Sequence, residues 1–265
     1  MDSRGLRVTG LADFTATVHA GTDGRDLPAC EFGLVATKAR HTRAAVAGAR
    51  AALADAAVVS VQNGLGNEEV IAGLVPRVIR GSIVTAGAIV APGVVRYDAP
   101  GDSWFGPFEP RPAPMAEVAR LARLLTEGGL RTHALEDARG PQWTKVIFNS
   151  ATSPLAALTG LTVGQVCTDA GLRPQVDALV REAMAVCERA GISPVRPPGE
   201  AVQEAIAEAY DHKPSMLQDV LAHRATEIDV LNGGIAAEGR RAGVATPLHD
   251  CIIALVRGLE QSWSA

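Results

Sequence analysis

No Cys-x-x-Cys pair occurs in this chain, and no His-rich spacing accompanies its four cysteines, Cys30, Cys167, Cys187 and Cys251. That speaks against a zinc ribbon or finger. The cysteines read instead as buried thiols of a reducing compartment, so the expected location is the cytoplasm. No basic cluster exceeds Arg240–Arg241, and 25 Lys and Arg stand against 29 Asp and Glu, a net charge of −4. This argues against a nucleic-acid partner and against an anionic membrane surface. No apolar run approaches the roughly 20 residues of a membrane span, and none follows a basic segment at the start as a secretory signal would. The chain has no internal repeat and no low-complexity tract. It also contains no G-x-G-x-x-G anywhere.

What is present is an ordinary folding composition. The 265 residues are 47% hydrophobic and 20% charged, enough apolar material for one large domain or two ordinary ones. Short strands are expected at Arg7–Val8 and Phe14–His19, and a short apolar run covers Phe32–Thr37. An Ala-rich helix is expected over about 42–54. Ala56–Gln62 carries the β-branched Val58, Val59 and Val61 in a nearly unbroken apolar run, the pattern of a strand buried on both faces. A helix over 68–74, strands between Ser82 and Tyr97 broken at Pro92-Gly93, an amphipathic helix over 113–128 and a closing strand at Arg131–Leu135 continue the alternation. Such β/α alternation predicts a doubly wound sheet. After Gly140-Pro141 only helical periodicity remains, over 142–153, 172–191, 198–210, 215–242 and 247–262. Residues 1–138 are therefore expected to form an α/β Rossmann-type domain, and 139–265 an all-helical C-terminal domain. The helix 215–242 would span roughly 40 Å at ~1.5 Å per residue and form the spine of the second domain.

Three constellations carry chemistry. Asn63-Gly64-Leu65-Gly66 follows a strand as a phosphate-binding turn would, but the third glycine position is Glu69, whose carboxylate would repel a pyrophosphate. The turn is either a simple strand-to-helix joint or a ligand loop at the carboxyl edge of the sheet. Trp143-Thr144-Lys145-Val146-Ile147-Phe148-Asn149 places Lys145 and Asn149 on one helix face, with Ser153 one turn further. A lysine near a carbonyl can donate a proton or stabilise an alkoxide, although a solvated surface lysine is the commoner outcome. The third stretch is Lys213–Asp229. Ser215 and Gln218 read as a capping box, and Met216, Leu217, Val220, Leu221, Ile228 and Leu231 fall on one side of the helix that follows. Arg224 and Glu227 fall inside that apolar sector, either paired to each other at its margin or facing a polar pocket. His223, four residues from both Asp219 and Glu227, is a weaker acid/base or metal-ligand candidate. No metal set is assigned.

Together these pieces resemble the ketopantoate reductase (2-dehydropantoate 2-reductase) family. The matching residues are Gln62-Asn63-Gly64-Leu65-Gly66-Asn67-Glu68-Glu69, Trp143-Thr144-Lys145 with Asn149, and Lys213-Pro214-Ser215-Met216-Leu217-Gln218-Asp219 with Thr226-Glu227-Ile228-Asp229. The resemblance implies an NADP-dependent oxidoreductase of pantothenate biosynthesis, in which NADPH passes hydride to a branched 2-keto acid and gives pantoate. It implies Lys145 as general acid and Glu227 as the residue that orients the substrate. Asn149, Ser153 and Ser215 are implied in substrate binding, and Lys38 and Asn63 along the nicotinamide side of the cofactor. Ser153 stands where the family often has Asn. The family also opens with a strand, a G-x-G-x-x-G turn, a helix and a second strand. This chain begins after them, so the first β-α-β unit is expected to be missing. The partner implied is a small 2-keto acid, with no nucleic acid and no membrane, and a homodimer is one option. Two other readings stay open: a truncated, catalytically impaired homologue acting as a binding or assembly module, and a reductase of a different branched 2-keto acid.

Overall fold

The computed structural model describes residues 5–264, which divide into two compact units: residues 5–62 with Glu68–Ala138, and Asn63–Asn67 with residues 139–264. The glycine turn thus belongs with the helical residues, although in sequence it sits between a strand and a helix of the first unit.

The first unit holds two sheets. The five-stranded one has the order β3-β4-β5-β8-β9, from β3 (Phe32–Val35), β4 (Ala57–Ser60), β5 (Arg77–Ile83), β8 (Ser103–Pro107) and β9 (Thr132–Ala134). β3, β4 and β5 are parallel, β8 runs antiparallel to β5, and β9 is parallel to β8. All four residues of β4 are buried, because helices cover both faces. Val58 packs with Val46 of α1 (Thr42–Gly48) and Ile71 of α2 (Asn67–Ala72), while Ala57 and Val59 pack with Val118 and Leu121 of α3 (Met115–Glu127). This two-sided burial is why β4 reads as a continuous apolar run instead of an alternating one.

The second sheet departs from the single doubly wound sheet expected from the sequence. β1 (Leu6–Gly10) and β2 (Phe14–Ala16) do not join β4. They form a four-stranded sheet of order β2-β1-β7-β6 with β6 (Ala86–Ala91) and β7 (Val94–Ala99). The Pro92-Gly93 break is the tight turn between β6 and β7, with Gly93 at φ 77°.

Apart from the glycine turn and the connecting segments, the second unit is built of helices, as the periodicity requires. Its centre is α4 (Arg139–Thr159), 14 of whose 21 residues are buried; a helix buried around most of its circumference lies inside a bundle. Trp143, Val146 and Ile147 pack against Ala183 and Val186 of α6 (Arg173–Ala190) and Ile235 of α9 (Asn232–Ala242). Further along, Ala151 and Leu155 join Met216 and Leu217 of α8 (Ser215–Leu221) and Ile252 and Val256 of α10 (Pro247–Gln261). α5 (Val163–Thr168) carries a capping box, with Thr162 and Gln165 exchanging side-chain and backbone bonds. Thr162-x-x-Gln165 is the sequence signature of that helix start. α7 (Pro198–Glu208) completes the unit. Among the described residues, no helix is long and apolar enough to cross a membrane.

Two local expectations fail. Ser215 does not cap: the cap position is Pro214, Ser215 is the first helical residue, and Gln218 instead donates from Nε2 to the carbonyl of Lys213 at 2.8 Å. Nor is 215–242 one helix. α8 ends at Leu221, α9 begins at Asn232, and the intervening residues are turns and irregular backbone. The stop is a Schellman closure: Arg224 N donates to Asp219 O (2.8 Å) and His223 N to Val220 O (3.0 Å), with His223 at φ 48° in the left-handed position usually given to glycine. Its ring stacks on Trp263, centroids 5.4 Å apart. The cysteines also divide: Cys167 and Cys187 are buried, but Cys30 is half-buried and Cys251 exposed.

Candidate active site

The second unit gathers three of the sequence-predicted site residues into one polar cluster. Lys145 sits in the second turn of α4, which starts at Arg139 and not near residue 142. Its neighbours Thr144, Val146 and Ile147 are buried, and Lys145 itself is half-buried. Burial of the ammonium lowers its pKa from 10.5 to about 8, while the carboxylate of Glu227 acts the other way. Desolvation therefore outweighs the attraction of the opposite charge.

Glu227 is 9% exposed and comes from the turn segment between α8 and α9. Its Oε2 accepts a hydrogen bond from Nδ2 of Asn63 at 3.4 Å. Asn63 is itself held by Asn67, whose Nδ2 donates to the Asn63 carbonyl at 3.0 Å. The glycine turn explains how Asn63 reaches this place. Gly64 has φ 86°, and a Cβ there would lie 2.5 Å from the carbonyl oxygen of Val230. Leu65 N donates to that same oxygen at 2.8 Å. Gly64 thus allows the turn to lie flat on the Glu227–Leu231 segment. Its space is filled by protein, so it offers no cradle for a phosphate.

The remaining predicted residues are placed separately. Asn149 is half-buried one helical turn beyond Lys145, and Ser153, one turn further, is buried. Ser215 is exposed at the start of α8. Arg224 does not pair with Glu227 as one reading allowed; its Nε donates to Oδ1 of the buried Asp219 at 3.1 Å. His223 is an exposed turn residue. No group of three potential metal-binding side chains occurs among the described residues. In the first unit, Lys38 follows β3 and precedes a 3-10 turn at Ala39–His41. The carboxyl ends of β3 and β4 are tied by a residue to which the sequence assigned no role: buried Gln62 donates to the Thr37 carbonyl (2.7 Å) and to Thr42 Oγ1 (2.8 Å). A glutamine closing an apolar strand was the available signal.

A sheet with helices on both faces in one unit, and a desolvated lysine beside a carboxylate in an all-helical second unit, define the class as Rossmann-type oxidoreductases with a helical C-terminal domain. Residues 1–110 match the family model described as Ketopantoate reductase PanE/ApbA, and residues 137–260 match Ketopantoate reductase PanE/ApbA C terminal. The chain belongs to the ketopantoate reductase family. It is 31% identical to a 2-dehydropantoate 2-reductase of Archaeoglobus fulgidus, over 97% of this chain and 85% of the relative. A Pyrococcus horikoshii enzyme of the same name is also 31% identical, over 98% and 85%. A solved PanE/ApbA family ketopantoate reductase from Ralstonia eutropha superposes with a TM-score of 0.88 at 26% identity, covering 99% of this chain and 87% of that one.

Proposed function

We infer that this chain reduces 2-dehydropantoate to pantoate with NADPH, and that Lys145 is its general acid. One observation carries the reading: a lysine with its pKa lowered to about 8 stands beside a carboxylate that an asparagine holds in place. Reduction of a 2-keto acid builds negative charge on the carbonyl oxygen. An ammonium at that oxygen stabilises the transition state more than the ground state and then gives up its proton. A pKa near 8 keeps Lys145 protonated at neutrality while making the transfer easier than from an ordinary lysine. Glu227 accepts a hydrogen bond from the substrate and fixes its orientation. Asn149 and Ser153, on the helix face of Lys145, and Ser215 at the start of α8 are assigned to the substrate's polar groups.

The reduced nicotinamide supplies the hydride when bound. The family resemblance assigns Lys38, after β3, and Asn63, at the glycine turn, to the nicotinamide side of the cofactor; the Gly64 turn, filled by Val230, does not fit a pyrophosphate. The α/β unit is assigned to the cofactor and the helical unit to the substrate. The test is NADPH oxidation with 2-dehydropantoate. Lys145→Ala is expected to lower kcat by about 100-fold, and an unchanged kcat overturns the assignment. Turnover confined to other branched 2-keto acids would move the substrate but keep the chemistry. No turnover, and no rise in melting temperature with saturating NADPH, would leave a binding module instead.

A further inference from the structure

α4 contains a proline at position 154. Proline has no N–H, so the carbonyl four residues earlier, that of Ser150, loses its helical partner. The structure replaces that partner from another helix: Nδ2 of Asn232, the first residue of α9, donates to Ser150 O at 2.9 Å. The same Nδ2 lies 3.1 Å from Nδ1 of His249 in α10, and Nε2 of His249 lies 3.1 Å from the carbonyl oxygen of Leu179 in α6. A carbonyl accepts and does not donate, so Nε2 carries the hydrogen and Nδ1 accepts from Asn232. Both N–H bonds of the Asn232 amide are thereby used, and its Oδ1 is buried without a partner. Turning the amide over would set oxygen against the Ser150 carbonyl. The orientation is therefore fixed, and so is the neutral tautomer of His249. Asn232 and His249 are each 0% exposed. Glu182 of α6, whose carboxylate accepts from Leu248 N and His249 N, and Asp250 face the ring as charges, yet burial dominates and holds its pKa below the usual histidine value.

This relay joins α4, α9, α10 and α6 at one amide. Ser150 adjoins Asn149 and lies five residues beyond Lys145, and Asn232 lies five residues beyond Glu227. We propose that Asn232, held by His249, is the positioning residue that seats the Lys145 helix against the Glu227 segment. The inference rests on the reading of Lys145 and Glu227 given above. A helix left with an unmatched carbonyl at this point shifts or admits water, and a misplacement of ~1 Å costs about 100-fold in turnover.

The test uses the full chain with NADPH and 2-dehydropantoate. Asn232→Ala is expected to lower kcat by about 10- to 100-fold with KM changed by less than about 3-fold. It should also move the alkaline limb of the pH–rate profile upward, because water reaching Lys145 relieves its desolvation. A residue that only supports the fold would lower melting temperature and yield but leave that limb in place. The sharper arm is rescue. Pro154→Ala returns an N–H to position 154 for Ser150 O, so Asn232→Ala/Pro154→Ala should recover several-fold in kcat over Asn232→Ala alone. Should Asn232→Ala not fold, His249→Asn, which keeps an acceptor facing Asn232, should stay near wild type while His249→Leu loses turnover. Overturning results are wild-type kcat and limb in Asn232→Ala, no recovery in the double variant, or equal activities for the two His249 variants. Lys145→Ala is measured in parallel. If it keeps full turnover, the reading of the site fails; if it loses turnover while Asn232→Ala does not, only the positioning role fails.

Discussion

Lys145→Met should make the protein more stable and nearly inactive at once. The side chain keeps its length and loses its charge. A fall in pKa from 10.5 to about 8 means that the folded state disfavours the ammonium by about 3 kcal/mol. Lys145 is half-buried, and solvent screening reduces the recoverable part to about 1–2 kcal/mol. The sign follows from proton binding. The folded pKa lies below the unfolded one, so between about pH 8 and 10.5 the unfolded chain binds more protons, and wild-type stability rises with pH across that window. Below pH 8 both states are protonated and the penalty is fully present. The methionine variant should therefore gain its 1–2 kcal/mol at pH 7 and lose most of that advantage by about pH 10. Urea denaturation of both proteins at pH 7, 8.5 and 10 reads the difference, and turnover at pH 7 should fall by about 100-fold. A methionine variant less stable than wild type at pH 7, or a gain independent of pH, would refute the claim that the ammonium is desolvated.

Further predictions address the neighbours of Lys145 and the backbone that places them. Glu227→Gln removes the carboxylate that raises the Lys145 pKa, so the alkaline limb of the pH–rate profile should move below about 8, and a limb that stays or rises contradicts the coupling. Gly64→Ala forces a Cβ against the Val230 carbonyl at a positive φ; it should cost about 2 kcal/mol or more by chemical denaturation and raise KM by displacing Asn63 from Glu227. His223→Val puts a β-branched residue in the left-handed position that closes α8. The expected loss is about 1–2 kcal/mol in melting experiments, and an unchanged melting temperature would show that the closure is not under strain.

The parts of the fold that could be read from sequence are those whose burial is set by one repeating environment. β4 is buried on every residue because helices cover both its faces, and α3, α6 and α10 keep one buried stripe each. The misreadings have physical causes. Ser103–Pro107 forms β8 despite its glycine and proline, because pairing with β5 and β9 supplies the preference its composition lacks. β1 and β2 were recognisable as strands, but nothing local says which sheet a strand joins. The continuous helix over 215–242 failed for another reason. Leu217 and Ile228, like Val220 and Leu231, are eleven residues apart, close to three turns at ~3.6 residues each, so the phase survives a break that sequence periodicity cannot see. The break depends on partners far along the chain: Thr226 N donates to Glu260 Oε1 at 2.7 Å, across 34 positions.

That break is also what gives the site its shape. On a continuous helix, Glu227 would be a charge on an apolar stripe, with desolvation to oppose it and no fixed donor. Because the chain leaves the helix at Ala222 and re-enters at Asn232, the backbone carbonyl of Val230 turns out to meet Leu65, and Glu227 meets the amide of Asn63. The two charges that looked misplaced then separate. Arg224 turns back to the buried Asp219 and helps close α8, while Glu227 faces Lys145. The same step fixes Asn232 at the head of α9, where it meets the carbonyl that Pro154 leaves open in α4. A proline in one helix, a left-handed histidine ending a second and an asparagine starting a third are each unfavourable or indifferent by local propensity. Each is accounted for by the position it gives to Lys145, Glu227 or the amide between them.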